Sequence, residues 1–168
     1  MPMLRSERNF LEKLADKIPG IAGYRERDAR RETDRRLREY LARRLEEGRE
    51  SLSGLRRVIL DGGKLDLLDE VGRLDGTLQR AVASLRFADS GYSGLFDQVK
   101  IREEELDRIY AYDEALVGTV QDLSEGLRRL AQAQPSSEDW MNLARPAEDL
   151  LLRITRRRDL FHTPTVQE

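Results

Sequence analysis

Cysteine is absent from this chain. That removes disulfides, thiolate metal sites and cysteine nucleophiles, and it suits a reducing compartment. Histidine occurs once, at His162. A di-iron bundle needs paired Glu-x-x-His motifs, which a single histidine cannot supply. Nor does His162, close to the end of the chain, give any serine a general base within a helical bundle. Aromatic residues are only 6% of the chain, with one tryptophan, so there is no aromatic ladder on which nucleic-acid bases could stack. No apolar run approaches the roughly 18 residues that a membrane-spanning helix requires. The start, M-P-M-L-R-S-E-R-N-F, lacks the apolar core of a signal peptide. The expectation is a soluble cytoplasmic protein of bacterial type. Lysine is scarce as well: of 30 basic residues only Lys13, Lys17, Lys64 and Lys100 are lysines, a bias read first as genome composition.

What the chain does contain is charge and helical periodicity. Charged residues make up 37% of its 168 residues and hydrophobic residues 39%. That composition fits long helices or coiled coils. Net charge is −2, unevenly spread: residues 1–60 carry 16 basic and 11 acidic groups, whereas residues 61–134 carry 9 and 15. A basic first third and an acidic middle could attract one another within one bundle or favour self-association, and neither is charged enough to compel nucleic-acid binding.

The periodicity predicts an all-α fold: an antiparallel helical bundle of three long, coiled-coil-like helices with shorter N- and C-terminal helices, forming a single domain over residues 1–168. An N-terminal amphipathic helix is expected over 4–17, ended by Pro19-Gly20. The three-helix antiparallel core is expected over 24–133, divided into 24–60, 65–88 and 95–133 by Asp61-Gly62-Gly63 and by the segment 89–94. A C-terminal helix over 136–160 has Ser136 as N-cap and Pro146 as a kink or a second start. Residues 163–168 are expected to form a flexible tail. Glycines inside the helices, such as Gly48 and Gly126, suggest close helix approach, with Tyr110 or Tyr112 filling the gaps.

Leu37, Leu41, Leu45, Leu52, Leu55 and Ile59 form the seam of the second helix. Below Leu37 that seam stops. Residues 25–36 read R-E-R-D-A-R-R-E-T-D-R-R, six arginines and four acids with no large apolar side chain. A helix polar on every side cannot gain stability from core burial. Pairs such as Glu26–Arg30, Glu32–Arg36 and Asp34–Arg38 would each add only about 0.2–0.5 kcal/mol. At about 1.5 Å per residue the three core helices measure roughly 55, 36 and 58 Å. The shorter third helix then leaves residues 24–36 overhanging, beside the 89–94 loop, and the apolar face of the first helix either folds back over Phe96 and Val99, pairs with a second copy, or lies on a membrane surface.

The expected partner-binding residues are therefore Tyr24, Arg27, Arg31, Arg35 and Arg38 on the overhang, with Tyr92 and Phe96 from the adjoining loop. Arginine and tyrosine combine contact area with hydrogen bonding in interface hot spots. The expected function is a non-enzymatic scaffold or adaptor that binds an acidic protein surface, a second copy of the chain, or both. The alternative is a peripheral phosphate-binding module, on nucleic acid or an anionic membrane, using the same arginines. Interspersed acids disfavour nucleic acid, and helix one lacks the lysine-rich polar face of a membrane helix.

No cofactor, metal, catalytic residue or small-molecule substrate is expected. Asp61-Gly62-Gly63-Lys64 lacks the P-loop spacing, Gly91-Tyr92-Ser93-Gly94 reads as a turn, and Glu103-Glu104-Glu105 with Asp107 reads as a solvated helix start. Arg156-Arg157-Arg158 fits a favourable helix C-terminus. Asp113 falls on the apolar seam of the fourth helix, between Ile109 and Leu116. A buried carboxylate must be paired, and sequential antiparallel packing makes Arg73 its expected partner in a structural polar seam.

Overall fold

The computed structural model describes residues 3–88, 96–98, 100–132 and 136–162. Over these residues the chain is all-helical, with five helices: α1 (Arg5–Leu14), α2 (Arg27–Asp61), α3 (Asp66–Arg86), α4 (Glu103–Gln132) and α5 (Ser137–His162). None of them is long and apolar enough to cross a membrane. Tyr92, Val99 and the tail 163–168 lie outside the described residues.

The heptad seams read from the sequence are the core. Leu37, Leu41, Leu45, Leu52, Leu55 and Ile59 of α2 are buried, as are Val71, Leu74, Leu78 and Leu85 of α3 and Leu116, Val120, Leu123 and Leu127 of α4. Apolar burial of this kind stabilises each large side chain by about 1.5–3 kcal/mol. Gly62 and Gly63 end α2, the latter at φ 69°, where a side chain would be strained. α5 runs through Pro146 without a break.

The arrangement differs from three sequential antiparallel helices. α2 borders α3 and α4, α5 borders the same two, and α1 packs on α4. The result is a four-helix ring in the order α2–α3–α5–α4, in which the C-terminal helix is a full wall. α2 and α4 are parallel: Tyr40 meets Gln121, Ser124 donates to the Arg44 carbonyl, and Gly48 faces Leu127. α4 and α5 are antiparallel, because Gly126 faces Leu143 at one end and Asp113 meets Arg157 at the other. α1 lies parallel to α4 through Ser6–Asp107 and Lys13–Glu114.

Close helix approach is real at two glycines. A Cβ on Gly48 would sit 2.7 Å from Leu127 and one on Gly126 would sit 2.6 Å from Leu143. Leucines, not Tyr110 or Tyr112, fill those gaps. Tyr110 instead lies against Gly23, where φ is +84° and a Cβ would be 2.5 Å from the hydroxyl.

Candidate functional site

The seam of α2 does not stop at Leu37; it changes chemistry. Going down the helix in the same three- and four-residue steps, the inward positions are Asp34, Thr33 and Arg30, and all three are buried. Their partners come from every side. Arg157 of α5 is 2% exposed and reaches across the core, donating from Nη1 to Asp34 Oδ1 at 2.6 Å. Its Nε and Nη2 donate to the Asp113 carboxylate at 2.6 and 3.0 Å, and Nη2 also reaches the Tyr24 hydroxyl at 2.9 Å. Tyr24 donates in turn to Asp113 Oδ2 at 2.7 Å. Arg38 pairs with the other oxygen of Asp34 at 2.8 Å and donates to the Leu85 carbonyl at 2.9 Å. Two guanidinium groups and two carboxylates balance one another, so the cost of taking ions out of water is met by Coulomb attraction and by a full set of hydrogen bonds.

Arg30 does not pair with Glu26. It donates to the main-chain carbonyls of Tyr24, Gln98 and Arg25 at 2.8, 2.6 and 3.2 Å, tying the segments on either side of the bundle to α2. Thr33 donates to the Gly23 carbonyl at 2.9 Å. A second buried group joins α1 to α4: Glu7 accepts from Tyr110 and from Arg25, both at 3.1 Å. Phe10, Tyr24, Phe96 and Tyr110 fill the space between, with ring centroids 5.2–6.2 Å apart.

Burial and the Asp113 charge push the Tyr24 hydroxyl well above its usual pKa, and Arg157 pulls it back only in part. Burial likewise raises Tyr110. For Arg157, burial alone would favour loss of the proton, but Asp113, Tyr24 and Asp34 together outweigh it and hold the guanidinium charged.

This plug corrects two expectations. The overhang does not exist, because α5 runs the length of α4 and brings its last turns down beside residues 24–38. Of the expected partner-binding residues, Tyr24 and Phe96 are buried at 0% and 3% exposure, and the Arg38 side chain is 11% exposed and doubly bonded. Arg27, Arg31 and Arg35 remain at the surface. Arg31 is bound to Asp97 at 2.7 Å and Arg35 to Glu32 and Glu39. Tyr92 is outside the described residues. Arg73 is also not the partner of Asp113: it is 69% exposed and bound to Glu70, since α3 lies across the ring from α4. A signal for the true partner was present. Arg157 follows Ala147, Leu150 and Ile154 on the same heptad face.

The surface offers a different feature. Above the elbow at Lys17–Pro19, the trough between the parallel helices α2 and α4 stays open, with a volume of about 630 Å³. Its cations are Lys17, Arg43, Arg44 and Arg128, against Glu47 and Glu125. Glu47 is bound to Arg44 at 2.5 Å, and Glu125 lies 3.9 Å from Arg129, an exposed ion pair without a hydrogen bond. Among the described residues, Lys17, Arg43 and Arg128 pair with no carboxylate, although Arg43 lies 6.0 Å from the centre of the Tyr40 ring. An adjoining recess of about 490 Å³ shares Lys17, Tyr40 and Arg43 and adds Arg35, Arg36 and Arg86. Sequence reasoning missed this trough because it depends on α2 and α4 being parallel neighbours, which no local pattern encodes.

No group of three or more acidic or histidine side chains is gathered for a metal among the described residues. Of the acids singled out in the sequence, Glu105 binds Arg102 and Asp107 accepts from Ser6. Comparison of the chain with protein-family models, with curated proteins and with solved structures finds no match.

Proposed function

We propose that this chain is a non-enzymatic helical adaptor that docks an acidic region of a protein partner in the trough between α2 and α4. The observation that carries this reading is the set of unpaired cations, Lys17, Arg43 and Arg128, converging from three elements on one concavity. Arg44 and Glu47 are bound to each other, so Glu125 is the main competitor that an incoming anion meets for these cations. The polar plug supports the reading from below. It clamps α2, α4 and α5 together at the base, so the spacing of the two trough walls is preset and an anion meets a preorganised surface.

The test is affinity capture from native lysate by the parent chain and by a Lys17→Gln/Arg43→Gln/Arg128→Gln variant. These side chains are exposed and unpaired, so the variant should melt as the parent does and lose its partner. Equal capture by both proteins removes the trough from the function. Light scattering on the pure protein separates a foreign partner from a second copy of the chain. The same three cations also favour a second reading, a phosphate binder on nucleic acid or an anionic membrane. That reading requires binding to DNA, RNA or acidic vesicles that falls steeply with salt.

A further inference from the structure

We infer that the anchor the trough holds is a phosphoryl group, carried on a phosphorylated serine or threonine of the partner segment; the inference rests on the adaptor reading and names its ligand.

The argument concerns what the lining has left to offer. Ser51 and Ser124 spend their hydroxyl protons on the carbonyls of Glu47 and Arg44, at 3.4 and 3.0 Å. Gln121 donates its amide to the Tyr40 oxygen at 3.2 Å, so the Tyr40 hydroxyl keeps its own proton to donate. Arg44 spends Nη1 on Glu47, while its buried Nε has no acceptor. Lys17, Arg43 and Arg128 are donors only. Acceptors remain on Gln121, on the serine oxygens and on Glu125, but the charged groups without a carboxylate partner are all cationic donors, Lys17, Arg43 and Arg128, and four cations face two acids in the lining. Such a lining calls for an occupant rich in acceptors and in negative charge.

A carboxylate offers two oxygens and one charge. A phosphate monoester offers three oxygens and about −1.5 to −2 charges at neutral pH, and it accepts paired bonds from guanidinium groups. The lining also lacks what a protein segment would otherwise need. Helix-in-groove docking relies on apolar pockets for side-chain anchors, and among the described residues Tyr40 is the one aromatic side chain that lines the trough. Charge rather than apolar contact must hold the ligand. A phosphorylated residue would enter this trough of about 630 Å³ from the solvent side.

The experiment titrates the full-length chain with three short peptides alike except at the centre, where they carry phosphoserine, serine or glutamate, and with inorganic phosphate. Nitrogen-edited NMR follows the amides of α2 and α4. The phosphoserine peptide should bind at least about tenfold more tightly than the other two, with shifts centred on Tyr40, Arg44 and Gln121. Arg43→Gln and Arg128→Gln should abolish that preference with melting temperatures unchanged, and Tyr40→Phe, which also loses the bond from Gln121, should weaken it. Equal affinity for the glutamate peptide overturns the phosphoryl anchor, as does tighter binding of DNA, RNA or phosphoinositide vesicles. Phosphatase treatment of the lysate separates the two claims. Capture that depends on the trough but survives phosphatase sinks this inference and leaves the adaptor standing. Capture indifferent to the trough variant sinks both.

Discussion

Arg157 shows how one side chain sets the chemistry around it. Its guanidinium meets Asp113, Asp34 and Tyr24 at once and has almost no contact with water. Two effects oppose each other there. Desolvation costs several kcal/mol per ion, and the pairing roughly returns that cost. The net contribution of the intact cluster is therefore small, while a broken cluster is costly. Arg157→Ala should lower stability in urea by about 3–5 kcal/mol, since it strands the Asp113 carboxylate in the core. The triple change Arg157→Met, Asp113→Leu and Tyr24→Phe removes the set together and leaves Asp34 to Arg38. It should return to within about 1–2 kcal/mol of the parent. A triple variant no more stable than Arg157→Ala would show that the cluster adds net stability, contrary to this account.

At the scale of helices, the glycines divide by what surrounds them. Gly72 and Gly118 have open space where a Cβ would go, whereas Gly126 has Leu143 at 2.6 Å. Alanine should therefore stabilise at Gly72 and at Gly118 by about 1 kcal/mol each, the difference in helix propensity. At Gly126 the same gain of about 1 kcal/mol meets an overpacking cost of about 1–3 kcal/mol, so the net effect should be zero to unfavourable. Thermal melts of the three variants decide the matter, and a stabilising Gly126→Ala would mean that α4 and α5 are less tightly seated than described. α5 also carries its own start: Ser136 and Asp139 bond reciprocally at 2.7–3.3 Å, which holds the Asp139 carboxyl below its usual pKa. Its extent was legible to within a few residues, and so were those of α2 and α3, because seam spacing and Gly or Pro stops are local signals. The start of α4 was placed too early, at 95 instead of Glu103, because Phe96 is a core residue that sits ahead of the helix.

Over the whole molecule, polar burial is concentrated at the plug end and leucine packing at the other, and alkali should report on that asymmetry. Tyr24 and Tyr110 have pKa values raised in the folded state. Above about pH 10 the unfolded chain would ionise both while the folded chain keeps both protons. The unfolded state then binds fewer protons, so stability declines as pH rises beyond that point. The stabilisation is fully present below pH 10. Tyrosinate absorbance from these two of the five tyrosines should appear only together with the fluorescence change of Trp140, which is buried in the first turns of α5. Ionisation of all the tyrosines while Trp140 stays native would mean that the plug opens without global unfolding.

The sequence determined the elements, because helix periods, stops and core seams depend on neighbours three and four residues away. It also marked Asp113 as a carboxylate in need of a cation, and 25–36 as a stretch that leucine packing does not hold. Which cation answers Asp113, and whether that stretch faces water or a core, depended on the order of the helices around the ring. Four amphipathic rods can be ordered in more than one way with every apolar stripe inward. Only the tertiary structure, by setting α5 across from α2 and α4 beside it, turned an apparent bare tip into a buried polar plug and left the trough above it open.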